Sequence, residues 1–314
     1  MKVISFDKIT EMAVSPLQCY EWVSETISHK KTALLPPKIS LKPEIPGVFY
    51  NTMPAILPHA NWAGVKLVTR YPQRAPSLDS QILLYNLKTG ENLALLDGNW
   101  ITTMRTGAVA AHAIKLLAKK DFKEIGIIGL GNTARAALEV LLALYPENNF
   151  TIKLKKYKNQ HELFIRRFHG YSKIQFEILD TYEEVVCSSD VIISAATVFD
   201  HDVCPDEYFK EGVLVVPIHT RGFTNCDLFF DKVYADDIDH VKGFKYFDHF
   251  KFFSEITDVV NGITPGREDD RERILAYNIG IAVHDIFFAG KLYEMIGEKC
   301  QEISLHAPVE KFWI

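Results

Sequence analysis

The sequence has no run of about 18 consecutive apolar residues, so no membrane-spanning helix is expected. Its opening, MKVISFDKITEM, lacks the apolar stretch and small-residue cleavage site of a signal peptide, which makes the cytoplasm the expected location. Cysteine is sparse: Cys19, Cys187, Cys204, Cys226 and Cys300 are scattered, and no Cys-x-x-Cys pair suggests zinc or a redox centre. Reduced thiols and no metal are the expectation. Nor is there a surplus of basic charge, since 35 Lys and Arg face 40 Asp and Glu for a net charge of -5. A general nucleic-acid binder would need a basic face to displace counterions, so that class is excluded. Internal repeats and low-complexity linkers are also missing. What remains is the composition of a globular chain, 47% apolar and 24% charged, and its 314 residues favour two domains over one.

Against this background one stretch is distinctive. Residues 125–138 read IGIIGLGNTARAAL: a short apolar run, a Gly-x-Gly, then apolar residues at helical spacing. Glycines at a strand-to-helix junction fit a dinucleotide-binding turn. Gly129 would allow the tight turn, Gly131 would let backbone approach a pyrophosphate, and Ala134 would stand where a third glycine packs helix on strand. The N–H groups that start at Asn132 and Thr133 would face the phosphates, aided by the positive end of the helix dipole.

Beyond the turn, FTIKLKKY, SDVIISAAT and GVLVVPIHT alternate with helical segments, which predicts a doubly wound parallel sheet of the Rossmann type over residues 116–284. Upstream, GVFYNTMPAIL, AGVKLVTRYP and QILLYNLKTGENLALLDG predict strands joined by turns, hence a mixed or antiparallel α+β domain over residues 1–115. The stretch from Arg267, REDDRERILAYNIGIAVHDIFFAGKLYEMIG, reads as one or two helices, and residues 285–314 are expected to return to the first domain.

Two cations stand out. Arg105 immediately precedes the predicted helix TGAVAAHAIKLLAKK, where the dipole disfavours a positive charge, so either an anionic ligand or open solvent should compensate it. Lys66 lies within the apolar run GVKLV; a lysine there ordinarily turns to solvent from one face.

From about residue 34 to about residue 297 the order of segments resembles the ornithine cyclodeaminase/mu-crystallin family. The resemblance is carried by AGVKLVTRYP, ENLALLDGNWITTMRTGAVAAHA, IGIIGLGNTA, SSDVIISAAT and GREDDRERILAYNIGIAVHD. It implies a homodimer, a nicotinamide cofactor, and redox chemistry at a carbon–nitrogen bond of a small amino acid or imine carboxylate. By this resemblance Lys66 binds substrate and Arg105 stands between substrate carboxylate and cofactor. Lys38 falls where members often carry a carboxylate-binding arginine, keeping the charge but losing the bidentate fork. Ser77 and Thr197 fall at cofactor-contacting positions. The dimer interface is expected from the strands before residue 100 and the returning C-terminal helix, with Phe287, Phe288, Leu292 and Tyr293 at helical spacing.

The pattern then breaks. Cyclodeaminating members carry a proton-transferring aspartate after the strand that corresponds to LVVPI; here the segment is IHTRGFTNCD, Arg221 takes the aspartate's place and Asp227 aligns with a later acid. An arginine is no general base near neutral pH, so ornithine cyclodeamination is disfavoured. His219 is the candidate for proton transfer, and Arg221 could clamp a second carboxylate. DDIDH at residues 236–240 resembles the branch that oxidises amino-acid adducts. A carrier that keeps the dinucleotide site without turnover is the competing reading. As for the cofactor, NAD-selective folds place an acid at the end of the second strand, on the adenosine ribose. In TIKLKKYKN that place falls to Lys155 or Lys156, so NADP(H) is expected over NAD(H), unless these lysines are only the solvated end of a strand.

Overall fold

The computed structural model of the protein describes residues 1–219, 223–297, 300–304 and 310. The chain divides into two compact units, one of Met1–Val14, Thr32–Thr102 and Asp285–Ile314, the other of Ser15–Lys31 and Thr103–His284.

The first unit is built on a mixed sheet. Strands β1 (Lys2–Ile4), β2 (Ile39–Leu41), β3 (Phe49–Leu57), β4 (Trp62–Arg70), β5 (Leu78–Asn86), β6 (Asn92–Asp97) and a short final strand take the order final strand-β1-β6-β5-β4-β3-β2. Only β1 and β6 run parallel; β2 to β6 form an antiparallel meander. Alternation decides the faces: Ser80, Ile82 and Leu84 of β5 and Ala94 and Leu96 of β6 are buried at every second position. On β4 the same period puts Trp62, Gly64 and Lys66 on one face, in register with Leu57, Ala55 and Met53 of β3. The first-unit part of the helix Ala282–Ile296 lies on this face. Its approach is close, since a Cβ on Gly64 would stand 2.8 Å from Ile286 and a Cβ on Gly290 only 2.2 Å from the Trp62 ring.

The second unit carries an all-parallel sheet. In chain order its strands are β7 (Glu124–Ile128), β8 (Phe150–Lys155), β9 (Ile174–Leu179), β10 (Val191–Ser194), β11 (Leu214–Pro217), β12 (Lys232–Ala235), β13 (Phe253–Glu255) and β14 (Ile274–Tyr277). They lie in the order β13-β12-β14-β11-β10-β7-β8-β9. Every residue of β10, β11, β12 and β14 is buried, as continuous apolar runs covered on both faces require. From β7 the chain proceeds to β8 and β9 on one side and to β10 and β11 on the other, so the topological switch, where open α/β sheets bind ligands, lies between the carboxyl ends of β7 and β10.

In chain order the helices are α1 (Phe6–Glu11), α2 (Pro16–Ser28), α3 (Asn99–Leu117), α4 (Asn132–Leu144), α5 (Gln160–Arg167), α6 (Tyr182–Cys187), α7 (Ile256–Val260) and α8 (Ala282–Ile296). Helix α2 opens on a capping box, Ser15 with Gln18, and packs on α4 and α7, which groups residues 15–31 with the second unit. Residues 103–115 join them, because Gly107 brings the backbone of α3 against α4: a Cβ there would lie 2.5 Å from Ala136 and Ala137.

Three expectations change. The stretch expected to be one or two helices from residue 267 contains β14, inserted between β11 and β12; ILAY is apolar on both faces, which a central parallel strand needs and periodicity alone does not separate from helix. Helix α3 starts at Asn99, so Arg105 lies inside it and the argument from an unfavourable helix end does not apply. Finally, Phe287, Phe288 and Leu292 are each fully buried within the chain, so they serve its own core and are not displayed for a second copy.

Candidate active site

The dinucleotide turn has the shape its sequence predicts. Gly129 leaves β7 at φ +86°, a conformation that L side chains rarely adopt, and a Cβ there would also lie 2.6 Å from the backbone of Ala195 and Ala196. Gly131 caps α4, and nothing stands within 4 Å of where its Cβ would be. The first leaves no space and the second leaves it open, so no side chain stands at Gly131 between the first turn of α4 and an approaching group. Asn132 and Thr133 form the first turn, and Ala134 is fully buried against the sheet. Thr197 is exposed in the loop after β10.

At the end of β8, Lys155 is half-buried, with its Nζ 5.0 Å above the Tyr182 ring and donating to the Lys156 carbonyl. Lys156 is exposed, 3.4 Å from Asp180. An exposed pair of this kind is weak and readily exchanged for a stronger anion.

At the carboxyl edge of the same sheet, Arg105 is buried beside Gly280, whose missing Cβ would lie 2.5 Å from Nη1. Gly280, at φ +91°, donates its N–H to Asp236 Oδ2 at 2.6 Å. Asp236 is fully buried and its carboxyl is pushed up by that burial. The rest of DDIDH is occupied by protein partners: Asp237 pairs with Lys30 at 2.8 Å and with His240, and Asp239 pairs with Lys242. His219 follows β11, half-buried, and Arg221 lies outside the described residues. Asp227 is buried and accepts a hydrogen bond from the Tyr277 hydroxyl at 2.7 Å. Burial outweighs that bond and raises its carboxyl to about 6.

In the first unit, Lys66 does not turn to solvent. Its Nζ is 2.7 Å from Asp285 Oδ1 of α8, and both side chains are 0% exposed. Lys38 is half-buried just before β2, and Ser77 lies in the bend before β5, its carbonyl accepting from Tyr71 N–H. Sequence reasoning missed Asp285 and Gly280, and it gave Asp236 of DDIDH no partner. Asp285 was open to detection, because an acid in the first turn of an otherwise apolar helix needs a partner once that helix is buried.

The chain belongs to the ornithine cyclodeaminase/mu-crystallin family, whose model matches residues 3–300. It is 27% identical to the nodulation efficiency protein of Rhizobium meliloti over 83% of each chain. It is 26% identical to the N-((2S)-2-amino-2-carboxyethyl)-L-glutamate dehydrogenase of Staphylococcus aureus, over 74% of this chain and 73% of that one. Among solved structures, the Δ1-pyrroline-2-carboxylate reductase of Thermococcus litoralis, in complex with NADH and L-proline, matches 96% of this chain and all of its own with a TM-score of 0.85 and 25% identity.

The raised Asp227 carboxyl makes the fold favour its neutral form. Its contribution to stability is full below the ordinary carboxylate range and is lost as pH rises through about 6. Asp227→Asn keeps an acceptor for Tyr277 and cannot ionise. Urea unfolding should therefore show the variant gaining about 3 kcal/mol over the parent at pH about 7.5 and nothing at pH about 3. An equal difference at both pH values would show that Asp227 does not titrate in this way.

Proposed function

We infer that this protein is an NAD(P)-dependent oxidoreductase acting on the carbon–nitrogen bond of a small amino acid or imine carboxylate. The observation that carries the reading is the dinucleotide turn, closed at Gly129 and open at Gly131, on a chain that belongs to this family throughout its length. The nicotinamide, when bound, supplies or accepts the hydride. The chain's own residues orient the other reactant: Lys38, Lys66 and Arg105 hold its carboxylate, so that catalysis rests on placement more than on covalent chemistry. His219 is the proposed proton carrier; Asp227, with a carboxyl near 6, is a second candidate, and Arg221 is proposed as a clamp for a further carboxylate. Imine reduction is favoured over cyclodeamination, because Arg221 stands where cyclodeaminases use an acid. The test follows the absorbance of the reduced nicotinamide with Δ1-pyrroline-2-carboxylate and with mixtures of α-keto acids and amines. Turnover is expected with at least one, falling about a hundredfold or more in Lys66→Met, in which Asp285 can take up a proton. Dinucleotide binding with no turnover across that panel would favour a mu-crystallin-like carrier.

We propose further that NADP(H) is preferred. Lys155 and Lys156 end β8 where an NAD-selective fold places an acid, and an ammonium can pair with a 2′-phosphate but cannot accept from a ribose hydroxyl. Titration with NADPH and NADH should show tighter NADPH binding, with Lys155→Asp or Lys156→Asp shifting the preference toward NADH. Tighter NADH binding by the parent chain would reverse the assignment.

The proposed assembly is a homodimer through the first unit. There Leu34, Leu35, Pro54, Ile56, Val65 and Tyr85 line an open apolar groove of about 690 Å³, and Leu34 and Leu41 of the neighbouring edge are each 62% exposed. Light scattering at micromolar concentration should give twice the chain mass, and Leu34→Glu should lower it. A monomeric parent chain would contradict this assembly.

A further inference from the structure

Lys66 and Asp285 form an ion pair that the packing around it does not require. Along β4 the same face meets α8 at three levels, Trp62 with Gly290 and Phe287, Gly64 with Ile286, and Lys66 with Asp285. The first two levels already hold helix to strand through apolar contact and backbone proximity. An apolar third level would do so as well, because replacing a buried ion pair by hydrophobic side chains is often neutral or stabilising. The cross-strand neighbours of Lys66, Met53 and Ile82, carry no charge. The counter-charge comes from α8, where Asp285 occupies the first turn and the helix dipole favours a carboxylate. His284 precedes it on the same helix.

We propose that Asp285 is a positioning residue, which keeps the Lys66 ammonium charged and in a single orientation so that it can bind the carboxylate of the substrate. The proposal rests on the assignment of Lys66 to substrate. In its terms α8 has two tasks, closing the core of the first unit through Phe287 and Leu292 and, at its N-terminal end, fixing the charge state of a lysine on the neighbouring strand.

The test uses the full chain and two measurements. The first is urea unfolding from pH about 6 to pH about 10. In Asp285→Asn the buried ammonium loses its counter-charge and its proton is held less tightly, so the folded state binds fewer protons than the unfolded one and stability rises with pH. The parent chain and Lys66→Met/Asp285→Leu should show no such rise, and the double variant should fold as well as the parent. If Asp285→Asn fails to fold while the double variant folds, the uncompensated ammonium is identified as the cause and the proposal is supported. A folded Asp285→Asn whose stability follows the parent's pH dependence overturns it.

The second measurement is calorimetric titration with pyrrole-2-carboxylate, a planar unreactive carboxylate, in the presence of reduced dinucleotide. Asp285→Asn should bind about tenfold more weakly at neutral pH, with the alkaline loss of binding moved down by about one pH unit. Weaker binding with an unmoved alkaline limb would mean that Asp285 only packs, and would overturn the proposal. Undiminished binding in Lys66→Met, or no binding by the parent chain, would remove the substrate role of Lys66; the unfolding series would then still show whether Asp285 fixes its charge.

Discussion

The buried contact between the ammonium of Lys66 and the carboxylate of Asp285 is the constraint that β4 and α8 share in the first unit. Neither group reaches water, so removing one partner leaves buried a charge that the pair had offset. The pair belongs to one register: Asp285 meets Lys66 where α8 lies along β4 with Ile286 over Gly64 and Gly290 over Trp62. The close approaches of Gly64 to Ile286 and of Gly290 to Trp62 set that register, and the charge pair is formed where it brings the two elements together. Residues more than two hundred positions apart in sequence are thereby held to a single alignment.

In the second unit the governing constraint is closeness of backbones. Gly129 admits the chain past Ala195 and Ala196, and Gly107 lets α3 lie directly on α4. Both remove side chains where elements converge on the carboxyl edge of the sheet. Gly280 repeats the principle beside Arg105, where the space that a Cβ would take is held by the guanidinium. The Gly280 N–H is fixed by Asp236, the first residue of DDIDH, whose carboxylate brackets the loop that borders the arginine.

Much of this was legible in the sequence because it rests on short-range pattern. The dinucleotide turn, the antiparallel meander and the parallel strands β7, β8, β10 and β11 follow from period, turn residues and glycine placement. What stayed hidden depends on partners distant in sequence. ILAY became a strand because β11 and β12 lie on either side of it, a fact that no local window contains. Phe287 and Phe288 have the spacing of an interface and of a core alike, and the chain's own sheet decided for the core. Lys66 was recognised by resemblance, but on physical grounds it looked like a solvent-facing lysine, because its compensating acid lies on another element.

The two buried carboxyls, Asp227 and Asp285, show why composition cannot assign roles to acids. Asp285 has the Lys66 ammonium at 2.7 Å. Among the described residues Asp227 accepts a hydrogen bond from the Tyr277 hydroxyl, and burial raises its carboxyl to about 6. A proton moves readily near neutral pH only on a group of the second kind, whereas a fixed cation for binding a carboxylate needs a partner of the first kind. The fold therefore gives one residue type two environments: one aspartate is paired with a buried ammonium, and the other has its carboxyl raised by burial.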